Sequence, residues 1–225
     1  MIMRWKETVK IFRDDFERRT FLSSSGALLI SVVFAFYNGY LGLRYESLWY
    51  GSICIYYIIL GILRAFLVVA DFRIERGDPD RREGRRRRVF LLTNGMLLLL
   101  NLSLIVPISL MVKLQKPVKM TLVPAIAMAA YTTYKIILAS VNMKRTGRIK
   151  NLLAKELRTI GFIDALLSVV VLQNTLIVVN SDGKDRSMLL FSAITSAAIL
   201  LLMLAVSVYG FIKGIGQGEK RTNYG

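Results

Sequence analysis

Long apolar stretches alternate with short polar segments along the whole chain, at roughly 21 to 43, 47 to 70, 89 to 112, 120 to 142, 159 to 180 and 188 to 212. Each has the length needed to cross a hydrocarbon core about 30 Å thick, for which a helix uses about 20 predominantly apolar residues. The pattern predicts an all-α fold: a polytopic membrane protein with six transmembrane helices over residues 21–212. Little chain is left for a soluble domain.

The flanking segments follow different patterns. Over residues 1–20, Ile2, Trp5, Val9, Phe12 and Phe16 recur at spacings of three and four, with Arg4, Lys6, Lys10, Asp14 and Arg18 on the other faces. This predicts an amphipathic, cytoplasmic N-terminal helix that lies in the headgroup plane or docks on a partner. Residues 144–158, with Ile149, Leu152, Leu153 and Leu157 among basic residues, predict a short interfacial helix leading into the fifth span. The segment Asp71 to Arg88 holds Gly77, Pro79 and Gly84 and is expected to be an irregular, solvated loop. Residues 213–225 contain Gly214, Gly216 and Gly218, but lack the strand and helix context of a phosphate-binding loop. A flexible cytoplasmic tail is expected there.

Shifting the chain by 69 residues sets Phe21, Gly26, Leu28 and Leu29 over Phe90, Gly95, Leu97 and Leu98, and a second such shift reaches Thr159, Asp164, Leu166 and Leu167. A shift of 71 sets Arg64 over Lys135, Leu67 over Leu138 and Arg73 over Lys144. The candidate repeat unit is a helical hairpin followed by a basic segment, three times over. Mitochondrial carriers share that plan, but their odd helices end in a fixed order of Pro, acid and base. Here the first and fifth spans lack Pro, and Pro107 is followed by Ile108, Ser109 and Leu110. That family is excluded.

One further likeness is local to the first hairpin. Phe36, Tyr37, Asn38 and Gly39, then Ser47, Leu48 and Trp49, then Tyr56, Tyr57, Leu60 and Arg64 resemble a pattern in bacterial six-span integral membrane proteins with no assigned activity. The resemblance covers about 30 residues. It implies the same topology and no site.

Charge orients this pattern. Segments 1–20, 71–88, 143–158 and 213–225 carry six, eight, six and three Lys and Arg, while the three loops between them hold six in all. Cytoplasmic segments retain Lys and Arg, so both termini and both long basic segments are expected in the cytoplasm of a bacterial cell. The location expected is the plasma membrane. The net charge of +16 is thereby explained without nucleic acid as a partner. Basic residues near the surface attract anionic lipid headgroups by about 1 kcal/mol each, which makes the bilayer the expected partner, with a membrane protein or a second copy as further options. Cys54 is the single cysteine and histidine is absent, so disulfides, Cys-based metal sites and histidine chemistry are excluded. The first 20 residues are too charged for a removable signal, and the first span is expected to serve as an uncleaved one.

Chemistry is sought where polarity interrupts the apolar windows. An Arg, Lys or Asp at a helix centre costs about 2.5–3.5 kcal/mol even on insertion scales, so such residues pair, line a cavity or snorkel. Arg64 lies nine residues before Arg73, Lys135 nine before Lys144, and Asp164 six beyond Arg158. At 1.5 Å per residue all three sit on the order of 10 Å inside the cytoplasmic boundary. Three readings follow: a functional cavity in which Asp164 pairs one cation and leaves the other partly free, a structural ion pair, or snorkelling. Neutral polar candidates are Asn38, Asn101, Gln173, Tyr57 and Tyr134, with Asn94, Asn174, Tyr56 and Tyr131 beside them. Pro107 and Pro124 are candidate kinks. No catalytic residue, metal site or cofactor is implied, because the acids of segment 71–88 repeat no metal-binding pattern and only Asp164 falls within a span. An enzyme is not expected. The functional expectation is a small permease-like or channel-like protein with a polar interior. Its alternative is a non-transporting membrane component that docks on a partner or senses the envelope.

Overall fold

A computed structural model describes residues 26, 28–44, 46–114, 122–144, 151–180 and 186–222. The amphipathic segment expected over residues 1–20 lies outside them. The described chain is helical: α1 is Leu28–Arg44, and α2 Leu48–Glu75, α3 Arg82–Ser103, α4 Ile105–Leu114, α5 Leu122–Lys144, α6 Leu152–Asn180 and α7 Arg186–Thr222 follow. Four segments, Leu48–Glu75, Arg82–Ser109, Leu152–Ile177 and Leu190–Ile212, are long and apolar enough to cross a membrane, and α1 is a shorter apolar helix. These helices fit a membrane-embedded, multi-pass protein.

The distribution of polarity supports that environment. Large apolar side chains project outward on every helix, with Leu43 86% and Phe36 77% exposed, while Arg64 and Asp164 are each 1% exposed. In water so much exposed apolar surface would drive association. In lipid it is indifferent, and polar groups instead seek one another between the helices. Within the interior, Ile53, Leu60, Leu67, Leu97, Ile160, Leu167 and Met203 form the apolar core. Helix α6 is central: it packs on α2, α3, α5 and α7. Its apolar window is 56% buried, against 28% for that of α7.

Local chemistry sets the helix ends. Between α1 and α2 the chain turns through Glu46 at φ 48°, with Ser47 N donating to Gly42 O at 3.0 Å. A Cβ at Gly42 would lie 3.0 Å from the Gly51 nitrogen, and one at Gly39 would lie 3.1 Å from Cys54 Sγ. Glycine is therefore what lets α1 and α2 meet backbone to backbone. The break between α3 and α4 falls at Leu104, three residues before Pro107. Proline clashes with the carbonyl four positions earlier, here that of Ser103, so the helix is interrupted where that clash occurs. Pro124 falls in the first described turn of α5 and interrupts nothing described.

Several expectations are corrected. Segment 71–88 is not an irregular loop, because α2 runs to Glu75, a 3-10 turn spans Pro79–Arg81 and α3 begins at Arg82. The run Arg85 to Arg88 is helical despite Gly84. Helix α7 continues to Thr222, so the backbone is helical where a flexible tail was expected from residue 213. Of the segment expected as an interfacial helix, residues 145–150 lie outside the described chain, and Leu153 and Leu157 are buried within the first turns of the continuous α6. As for the hairpin repeat, among the described residues α5 packs on α6 and on α1, where Tyr131 stacks on Phe34. A packed pair of third and fourth spans is not seen among them.

Candidate functional site: a buried charge cluster in the bundle

Spacing on each helix prepares the site. On α6, Asp164 and Ser168 are four residues apart; on α5, Tyr131 and Lys135 are four apart; on α2, Tyr57 and Arg64 are seven apart. These intervals put each set on one face of its helix. Packing brings the faces together, so Arg64 Nη2 donates to Asp164 Oδ2 at 2.8 Å and Lys135 Nζ donates to Asp164 Oδ1 at 2.6 Å. The carboxylate thus holds both cations, one on each oxygen. This corrects the expectation that Asp164 pairs one cation and leaves the other partly free. Snorkelling is likewise not what occurs, since both basic heads turn inward.

The remaining polar atoms are largely engaged. Arg64 Nη1 donates to Ser31 Oγ at 3.1 Å, and Lys135 Nζ also donates to Ser168 Oγ at 2.8 Å. Ser168 Oγ lies 2.8 Å from the Asp164 carbonyl, to which it donates, and 3.2 Å from the Tyr57 hydroxyl. Arg64 Nε is buried with no partner among the described residues. Two cations against one carboxylate leave one net positive charge. Three aromatic rings answer it: Lys135 Nζ lies 5.5 Å from the Tyr57 centroid, 5.6 Å from Tyr131 and 5.7 Å from Phe34. Ring faces attract a cation within about 6 Å, more strongly when it is desolvated. Phe34 and Tyr131 stack on each other with centroids 4.9 Å apart. The Lys135 side chain keeps 12% exposure, against 2% for its two charged partners.

A second, uncharged knot joins α2, α3 and α7. Tyr56 donates to Asn101 Oδ1 at 2.6 Å, and Asn101 Nδ2 donates to Ser207 Oγ at 2.9 Å. Gln173 Oε1 accepts from Thr195 Oγ1 at 3.2 Å, tying α6 to α7. Asn38 is buried but turned on its own helix, its Nδ2 donating to Phe34 O at 2.8 Å. Tyr134 is 61% exposed, which removes it from the interior candidates: one residue from Lys135, it points about 100° away around the helix.

A third tier lies near the helix ends. Asp71 accepts from Arg86 at 3.2 Å and from Asn151 Nδ2 at 3.1 Å, while Asn151 Oδ1 caps α6 by accepting from Leu153 N at 2.9 Å. Arg87 donates to the carbonyls of Gly214 and Ile215, both at 3.1 Å. Glu156 is 1% exposed, buried in the first turns of α6.

Sequence reasoning missed Ser31, Ser168, Phe34 and Glu156. The spacing of Ser168 from Asp164 was a usable signal. Ser31 and Phe34 gave none, because only packing of α1 brings them near Arg64 and Lys135. Among the described residues no group of three or more acidic or thiol side chains is placed to hold a metal ion. The described chain is all-helical with a charged interior, and its long apolar helices fit a multi-pass membrane protein. No family model, curated protein or solved structure matches the chain.

Proposed function

We propose that this chain is a non-transporting, non-catalytic component of the bacterial plasma membrane, with six spans and both termini in the cytoplasm. Its interior charges lock the bundle, and its contacts with other molecules are made at its basic cytoplasmic face and lipid-facing surface. The observation that carries this reading is the use of both Asp164 oxygens by Arg64 and Lys135. A polar path needs groups that can exchange partners with a solute, whereas here the three charged groups are spent on one another. Asn101 and Tyr57 follow the same rule, each bonded to another helix. Anionic headgroups are the partner that the basic cytoplasmic segments attract.

The net positive charge near Lys135 favours the permease-like reading as the competitor, with a small anion as cargo. Proteoliposomes loaded with chloride or phosphate separate the two. The expected result is release no faster than from protein-free vesicles. A flux that Lys135→Met abolishes, with helical content unchanged, overturns the non-transporting reading.

A further inference from the structure

The outer face between α2 and α3 carries a groove of about 790 Å³. Ile62, Ala65, Phe66 and Val69 form its apolar length, and Arg73, Arg85 and Arg88 stand around one end. We propose that this groove holds an acyl chain of one anionic phospholipid, with the phosphate seated among the three guanidinium groups.

Three observations support that occupant. The first is length: Arg73 lies eleven residues beyond Ile62, a rise of about 16 Å, which is about half of a hydrocarbon core about 30 Å thick. The groove therefore runs the depth of one leaflet and ends in positive charge at the headgroup level. The second is the division of labour within the arginines. Arg82 donates to Gly77 O, Arg86 binds Asp71 and Arg87 holds the α7 carbonyls, while Arg73, Arg85 and Arg88 take part in none of these ties and line the groove. Arg85 and Arg88 share one face of α3 at a spacing of three, opposite Arg73 on α2. The third is chemistry, because guanidinium presents a planar fork of donors matched to phosphate oxygens. A bare headgroup attraction would need only the charges. The apolar lining of Ile62, Ala65, Phe66 and Val69 adds a seat for a chain.

This inference rests on the membrane-embedded reading above and names the lipid class for that surface. The test is native mass spectrometry of the full chain released from vesicles of equal parts phosphatidylglycerol and phosphatidylcholine. The expected result is one retained phosphatidylglycerol per chain. Combined Arg73→Gln, Arg85→Gln and Arg88→Gln is expected to weaken retention by about a hundredfold, from about 1 kcal/mol per basic residue. Ala65→Trp fills the groove without touching a charge and is expected to displace the lipid as well. Arg76→Gln with Arg81→Gln, which removes charge from the same segment outside the groove, is expected to leave it bound. Retention unaffected by Ala65→Trp would reduce the site to headgroup attraction and overturn the proposal, as would a wild-type chain that retains no lipid. A dimer that Ala65→Trp converts to monomer, with no lipid lost, would assign the groove to a second copy and overturn it too. Lipid retention is scored apart from ion flux. Failure of the groove therefore leaves the locked interior standing, and a Lys135-dependent flux overturns that reading without changing the lipid count.

Discussion

Asp164 holds two cations with two oxygens, and that stoichiometry orders the effects of substitution. Removing the carboxylate leaves Arg64 and Lys135 facing each other at close range in an apolar interior. Asp164→Asn is expected to cost about 3–5 kcal/mol, the range found when one partner of a buried pair is removed. Lys135→Met is expected to cost far less, because Arg64 and Asp164 then form a neutral pair and the rings of Phe34, Tyr57 and Tyr131 close on an apolar side chain. Arg64→Leu should fall between them, since it also removes the hydrogen bond to Ser31 and leaves space at a site that is 1% exposed. Equilibrium unfolding in detergent checks the order, and Asp164→Asn as the mildest of the three would contradict the lock. The three charges were legible in the sequence because ionisable residues stand out in apolar windows and their depth follows from counting residues. Their bonding was not legible, since a shared carboxylate depends on how three helices rotate about their axes.

Helix contacts bring the smallest residues into play. A Cβ at Gly210 on α7 would collide with Asn94 Oδ1 on α3, and α3 and α7 form one of the main contacts of the bundle. Gly210→Ala is expected to destabilise by about 1–3 kcal/mol, as overpacking does. In an Asn94→Ala background the same change is expected to cost little, and a double-mutant cycle reads the coupling. Arg87 fastens the same two helices near their ends, so Arg87→Gln should raise hydrogen exchange over residues 214–222 while leaving α2 unchanged. The helical state of Arg85 to Arg88 was hidden in the sequence, where Gly77, Pro79 and Gly84 read as turn formers. Propensity is a weak prior that tertiary ties override, and here Arg86 to Asp71 and Arg87 to α7 supply the ties. The break before Pro107 was readable, because its cause is local and steric.

For the whole molecule, orientation is the prediction with the widest reach. With Cys54 replaced by Ala, Asp182→Cys is expected to react with a membrane-impermeant maleimide added from outside the cell. Cysteines placed at Arg76 or Arg81 are expected to react only after the membrane is opened. Labelling of residue 182 from the cytoplasmic side alone would overturn the six-span topology with cytoplasmic termini. Four of the apolar windows appear in the structure as helices of spanning length and composition. For the first and fourth windows, residues 21–25, 27 and 120–121 lie outside the described chain, and α1 and α5 account for nearly all of the remainder.

By itself the sequence determined that this protein is helical and suited to a membrane, and that three charges sit where charge is costly. Those properties depend on hydrophobic length and on position along a helix, which one chain carries openly. Only the tertiary structure decided that Asp164 serves both cations, that aromatic rings surround Lys135, that Tyr134 faces away, and that three arginines end a groove while their neighbours hold the fold. Each of these depends on which faces of different helices meet, and the distance along the chain between Ser31, Arg64, Lys135 and Asp164 leaves that choice to packing.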